Sequence, residues 1–258
     1  MAKYPSRIIC LTEESVETLY LLGESSRIVG ISAFVERPAG AKKTHPIVTT
    51  FTHSNSDKIL AQNPDLVLGF SDIQKDIAKD LIGQGLNVWI SNQRSLAEIL
   101  DYILQLGAVV GADAEARALI LQLENKIAAT QKLVAGKKRP KIYFEEWDGP
   151  MISAILWVAQ LIELCGGEYI FPEKAKGKMA KDRFTESSEN IEKNPDIILA
   201  CWCGKKFEPN SLKSRPGWER ISAVKDNKVF ELDPAIFLQP GPAPILSGID
   251  ILLDIFHP

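Results

Sequence analysis

Short apolar runs alternate with amphipathic stretches along the first hundred residues. Arg7 to Leu11, Arg27 to Ile31, Asp65 to Gly69 and Asn87 to Ile90 are rich in branched side chains and bounded by polar residues or glycine, the pattern of buried strands. Helical spacing covers Thr12 to Gly23, a short stretch from about Asp57, then Gln74 to Gly83 and Ser95 to Leu106. Thr12 opens the first helix with Glu13 and Glu14 in its first turn, where acid complements the helix dipole. Strands alternating with helices predict a parallel sheet covered on both faces.

The spacing changes from Ala112 to Val134, where Ala116, Ile120, Leu123, Ile127 and Val134 form one stripe of a long helix. At 1.5 Å per residue such a helix spans about 35 Å. Gly136 and Lys137-Lys138-Arg139-Pro140 close it. The expected organisation is an N-terminal lobe over 1–111, a bridging helix over 112–136 and a C-terminal lobe over 137–258. Lys141 to Phe144 restarts the strand pattern, and Lys228 to Glu231 is a further strand. Asn194-Pro195-Asp196-Ile197-Ile198-Leu199-Ala200 repeats Asn63-Pro64-Asp65-Leu66-Val67-Leu68-Gly69, so a helix end, an Asn-Pro turn and a buried strand occur once per half. The fold class is therefore α/β, with two lobes built on parallel sheets.

Composition narrows the partners. Of the 258 residues 45% are hydrophobic and 24% charged, enough apolar material for two cores, and a net charge of −3 offers no electrostatic footprint for nucleic acid or an anionic membrane. Charges interrupt every apolar run before it reaches the roughly 20 residues of a membrane-spanning helix, so no membrane insertion is expected. Ile8 to Leu11 is too short for a secretory core and is followed by Glu13 and Glu14. As written the chain reads as cytoplasmic, and as periplasmic if an export signal has been removed. Cys10, Cys165, Cys201 and Cys203 are expected to be reduced thiols, and Cys201-Trp202-Cys203 lacks the spacing of a zinc site.

Arg7 to Ile31, the two Asn-Pro-Asp strands, Leu161-Ile162-Glu163-Leu164-Cys165-Gly166-Gly167 before Ile170-Phe171-Pro172, and Gln239-Pro240-Gly241-Pro242 together resemble the class III solute-binding proteins of ABC importers, closest to the cobalamin-binding branch. The resemblance implies two Rossmann-like lobes bridged by a rigid helix, with a ligand cleft between them. It implies capture of a bulky small-molecule ligand, cobalamin or a related cobalt corrinoid first and a metal-siderophore second, with no cofactor of the protein's own. It also implies an importer permease as partner, contacted by one acid on each lobe, for which Asp76 and Glu219 match best. One departure stands against this: importer-linked members are exported, and no export signal is visible in the residues as written.

In open parallel sheets ligands sit beyond the carboxyl ends of the strands, so each predicted strand nominates the residues after it. In the first lobe these are Glu13 and Glu14, Phe34, then Phe70, Ser71, Asp72 and Gln74, and the resemblance implies that the loop residue His53 also faces the cleft. The second lobe contributes Glu145, Glu146 and Trp147, then Trp202, Cys203, Lys205 and Lys206, then Phe237 and Gln239. Aromatic faces with a few convergent polar groups suit a small-molecule site, and Trp202 is the expected stacking platform. Plain structural roles compete with this. Glu13 suits a helix dipole, the tryptophans suit core packing, and Glu145 with Glu146 suits ion pairing to Lys205 and Lys206. A second function is also open: a cytoplasmic enzyme using Glu145 or Glu146 as general base and Cys203 or Lys205 in the cleft.

Overall fold

The first apolar run becomes β1, Ile8–Cys10, the central strand of a five-stranded sheet. Around it stand β2 (Ile28–Ser32), β3 (Ile47–Thr49), β4 (Leu66–Phe70) and β5 (Val88–Ser91), in the order β3-β2-β1-β4-β5, every pair parallel. On one face Ile9, Val48 and Val67 pack with Leu11, Ile59, Ile77 and Leu81. Gly30 is required there by close approach: a Cβ would stand 2.6 Å from Ile9 Cδ1 and 2.8 Å from Val48 Cγ2. This computed structural model describes residues 3–50 and 56–258.

Its contacts divide the chain into one unit of Met1–Gln93, Ala97–Glu124 and Gln239–Ala243, and a second of Arg94–Leu96, Asn125–Leu238 and Pro244–Pro258. The predicted long helix forms as Asp113–Val134, and the division falls inside it, between Glu124 and Asn125. Its buried positions are Ala116, Leu119 and Leu123 in the first unit and Thr130 in the second, a stripe at three- and four-residue spacing. The preceding helix, Leu96–Val110, runs a turn beyond its predicted end, and Gly107 lets it approach Ala116, whose Cβ would lie 2.4 Å from a Cβ at position 107.

In the second unit β6 spans Lys141–Asp148, four residues beyond the predicted end at Phe144. The extension has a partner: β7 (Met151–Ser153) folds back antiparallel and pairs Glu145 with Ser153, Trp147 with Ile152 and Asp148 with Met151. Glu145 to Asp148 are therefore strand residues and not a loop, and this sheet is mostly, not wholly, parallel. With β8 (Glu168–Tyr169), β9 (Ile197–Ala200) and β10 (Val229–Glu231) the order is β10-β9-β6-β7, and β8 also pairs with β6. Among the described residues no helix is long and apolar enough to cross a membrane.

The repeated Asn-Pro-Asp motif performs the same work twice, in separate sheets. Asn63 and Asn194 both take φ of 46°, ending the helix before them in the left-handed region that asparagine tolerates. Each aspartate then turns back on the strand that starts its own unit. Asp65 Oδ1 accepts the Arg7 N–H at 2.9 Å and its Oδ2 the Ser6 N–H at 2.8 Å, while Asp196 Oδ2 accepts the Lys141 N–H at 2.8 Å. Desolvation alone would raise the Asp65 carboxyl, but the hydrogen bonds from Ser6 and Arg7 outweigh it and hold the group below its ordinary value. Such a group adds stability above its unfolded pKa, and that stability is lost as pH falls through the folded value. Asp65→Ala should lower the unfolding free energy at neutral pH by about 1 kcal/mol, the modest figure appropriate to an exposed residue. Urea denaturation at pH 7 and pH 3 checks this, and the variant's deficit should shrink at the lower pH.

Candidate functional site

The carboxyl edge of the first sheet is lined by buried acids. Thr12, extended at the N-cap, leads directly from β1 into the helix Glu13–Leu21, and Glu13, Glu14 and Glu17 are all buried. Glu13 Oε2 accepts the Glu36 N–H at 3.0 Å, whereas its buried Oε1 has no hydrogen-bond partner among the described residues. Desolvation, reinforced by the neighbouring Glu17 and Glu14, pushes its carboxyl up to about 8. Glu14 accepts the Thr12 hydroxyl at one oxygen, has a buried, unpartnered Oε2, and is pushed up to about 7, again chiefly by burial. Glu17 is bonded to a cation: Arg37 donates to its Oε1 from Nε at 3.0 Å and from Nη2 at 2.8 Å. The helix dipole favours ionised acid at these positions, yet burial outweighs it.

Other nominated residues of this unit divide by exposure. Phe34, in the turn after β2, is 59% exposed. Phe70 and Gln74 are buried, and Gln74 serves the backbone, accepting the Phe70 N–H at 2.9 Å and donating to Leu11 O at 3.4 Å. Ser71 sits at φ 62° with its hydroxyl accepting the Ile73 N–H, and Asp72 is exposed beside it. An open groove of about 530 Å³ lies at the β4 and β5 ends, bounded by Ser71, Asp72, Asn92 and the helical Lys75, Lys79 and Ile82. His53 lies outside the described residues.

The second edge is built on a fully buried carboxylate. Glu145 has 0% exposure. Arg215 donates to both its oxygens, Nη1 to Oε2 at 2.6 Å and Nη2 to Oε1 at 2.9 Å. The Trp202 indole N–H adds a third bond at 3.1 Å and the Tyr143 hydroxyl a fourth at 3.0 Å. Glu146 is held by Arg183, with Nη1 at 2.5 Å and Nη2 at 3.2 Å, and that arginine also donates to Ser153 O. The alternative in which these acids pair with Lys205 and Lys206 is thus replaced by pairing with arginines. A guanidinium is less strongly hydrated than an ammonium and its planar fork matches a carboxylate, so arginines occupy the buried positions. Lys205 instead pairs with Asp148 at 2.6 Å, its ammonium 4.8 Å from the Trp202 centroid and 5.7 Å from that of Trp147; Lys206 is exposed.

Trp202 is only 3% exposed, with Phe207 packed edge-on against it, so its position is that of a core residue bracing Glu145. Trp147 is half-buried and is the more accessible tryptophan of this edge. Phe237 is fully buried, while Gln239 is half-buried and groups with the first unit. Desolvation first and the charge of Glu146 second push the Cys203 thiol above its usual value. Among the described residues no group of three or more histidine, cysteine or acidic side chains is placed to hold a metal ion. Sequence reasoning missed Arg37, Arg183 and Arg215. The signal available was indirect, since adjacent acids at the end of an apolar strand require cations that can be buried.

Removing Arg215 leaves Glu145 buried without its cation, so Arg215→Ala should cost about 3 kcal/mol or more of stability. The double variant Glu145→Leu/Arg215→Met should recover most of that loss, which urea denaturation of the three proteins measures. In the first unit the sign follows from raised carboxyl pKa values. Below about 4.5 both folded and unfolded states hold the protons, and stability contributed by Glu13 and Glu14 is lost as pH rises towards about 7 to 8. The slope is at most about 1.4 kcal/mol per pH unit for each group. Unfolding free energies measured between pH 5 and 8 should fall in the wild-type protein and fall less steeply in Glu13→Gln.

A family model described as periplasmic binding protein matches residues 8–236. Among curated proteins, the uncharacterized ABC transporter substrate-binding lipoprotein YvrC of Bacillus subtilis (strain 168) is 22% identical over 266 aligned positions, covering 99% of this chain and 81% of the relative. A vitamin B12-binding protein of Vibrio vulnificus (strain CMCP6) is 25% identical over 254, covering 93% and 86%. Among solved structures, Staphylococcus aureus IsdE complexed with heme superposes with a TM-score of 0.82 at 23% identity, covering 100% of both chains. The periplasmic vitamin B12 binding protein BtuF of Vibrio cholerae superposes with a TM-score of 0.77 at 20% identity, covering 98% of this chain and 97% of that one. At such identities the structural likeness concerns the fold, but the family match spans nearly the whole sequence, and the chain belongs to the periplasmic binding protein family.

Proposed function

We propose that this protein is the solute-binding component of an ABC importer, working outside the cytoplasm, and that its solute is a bulky, largely planar molecule. A cobalamin or related corrinoid comes first and a metal-siderophore second. The observation that carries the reading is what the two carboxyl edges display. Phe34 stands 59% exposed beyond β2, and Trp147 with Lys205 stands at the end of β6, while the acids behind them are buried. An exposed and a half-buried aromatic ring with an adjustable ammonium suit a large conjugated ligand bearing polar substituents. Relatives named as vitamin B12-binding and as an ABC transporter lipoprotein support both the ligand class and the location. The permease contacts are proposed to be Asp76, in the first turn of the helix Lys75–Gly83, and Glu219, both exposed.

The geometry favours binding over the enzyme reading. A general base needs a carboxylate oxygen free to take a proton, and both oxygens of Glu145 are engaged by Arg215, Trp202 and Tyr143. A nucleophilic thiol needs a lowered pKa, whereas that of Cys203 is raised.

Calorimetry and thermal melting with cobalamin, cobinamide, a ferric siderophore panel and hemin test the proposal. A true ligand at a hundredfold excess over Kd should add about 2.7 kcal/mol of stability. Phe34→Ala and Trp147→Ala should each weaken binding by roughly thirtyfold, the loss expected of an aromatic anchor worth about 2 kcal/mol. Trp202→Ala should lower the melting temperature instead, because that ring is buried. No heat and no shift with any of the panel would discard this ligand class.

A further inference from the structure

Residues Gln239–Ala243 group with the first unit although the chain on either side belongs to the second. Contacts with Gln93, Glu17 and Glu14 hold this strap. Gln93, just past β5, donates from Nε2 to Pro240 O at 2.9 Å. Glu17 Oε2 accepts the Ala243 N–H at 3.1 Å. Gly241 lies against Glu14, so closely that a Cβ there would stand 2.7 Å from Glu14 Cβ and 3.2 Å from its Cα. Glu14 and Glu17 follow β1 and Gln93 follows β5, so the strap links the helix after β1 to the segment after β5. Pro240 to Ala243 are buried there.

Backbone chemistry makes the Glu17 contact the sensitive one. Pro240 and Pro242 have no N–H to donate, and the Gly241 N–H is bonded within the strap to Gln239 O at 2.8 Å. Of the backbone donors after Gln239 that leaves the Ala243 N–H, whose acceptor is the Glu17 side chain. The carboxylate is itself held by the two bonds from Arg37 to its other oxygen, so the arginine sets where the acceptor stands. Without Glu17 a buried donor loses its partner, and the strap must be reordered whenever a rigid surface is needed.

We infer that Glu17, oriented by Arg37, is a positioning residue that locks the strap between the helix Glu13–Leu21 and the β5 end and presets Gln239 for the ligand. The inference rests on the ligand-binding reading above. Its contribution to affinity comes through preorganisation and not through a ligand contact of its own.

Amide hydrogen exchange of the full chain, read at Ala243, reports the lock without any ligand. Calorimetry with cobalamin and hemin reports its consequence, and thermal melting checks that each variant is folded. Glu17→Ala should speed Ala243 exchange at least tenfold and weaken binding of whichever probe the wild-type protein takes by about tenfold. Glu17→Gln keeps a carbonyl acceptor and should restore much of both. Gly241→Ala removes no hydrogen-bonding group but displaces the strap from Glu14, and it too should weaken binding. Unchanged exchange in Glu17→Ala would overturn the inference, as would faster exchange with unaltered affinity in both Glu17→Ala and Gly241→Ala. A wild-type protein that binds neither these probes nor cobinamide nor a ferric siderophore would instead overturn the ligand reading, recognisable because the exchange arm needs no ligand.

Discussion

Placing Glu145 at zero exposure strips its carboxylate of water, and the second sheet's edge is arranged around replacing that solvation. An isolated buried carboxylate would cost several kcal/mol, so the site needs a cation and enough donors to occupy both oxygens. Arg215 supplies the charge and two of the bonds, and its guanidinium lies 4.6 Å from the Trp218 ring centroid. Trp202 and Tyr143 complete the set, and the pairing of Glu145 with Ser153 in β7 holds the backbone that carries it. Because each partner is fixed by its own packing, the network holds the strand end that presents Trp147 and Asp148.

The first unit meets the same cost differently. Glu13 and Glu14 form no ion pair among the described residues and shift upward on burial, whereas Glu17 stays tied to Arg37. One edge therefore neutralises its acids by ion pairing and the other largely by protonation. Among the described residues the first edge presents exposed Phe34 and the second half-buried Trp147 beside Lys205. Such surface suits a large ligand held by area and shape more than by charge. Several site nominees turn out to be supports for that surface. Gln74 ties β4 to the end of β1, and Trp202 braces Glu145.

Much of the architecture follows from local sequence. Period-two and buried apolar runs placed the strands β1, β2, β4, β5, β9 and β10, and the three- and four-residue spacing placed the helix Asp113–Val134, because backbone hydrogen bonding and side-chain direction act within a few residues. The Asn-Pro-Asp repeat announced two related halves for the same reason: a left-handed asparagine, a proline that stops the helix and an aspartate that returns to the backbone are short-range devices.

Partner choice was decided only in three dimensions. Lys205 is near Glu145 in apparent strand position, yet Arg215, 70 residues further along, is the group that reaches it, because β9 and the segment after it bring that guanidinium to the end of β6. The extension of β6 to Asp148 depended on β7 folding back upon it, which the run ending at Phe144 did not announce. Burial likewise turned Trp202 from an apparent platform into a support, and seated Gln239–Ala243 on a helix more than 200 residues earlier. Sequence by itself determined which segments become strands and helices, since those energies are local. Which acids stay charged, and which rings remain exposed, was decided by the tertiary structure, since desolvation depends on everything packed around a group.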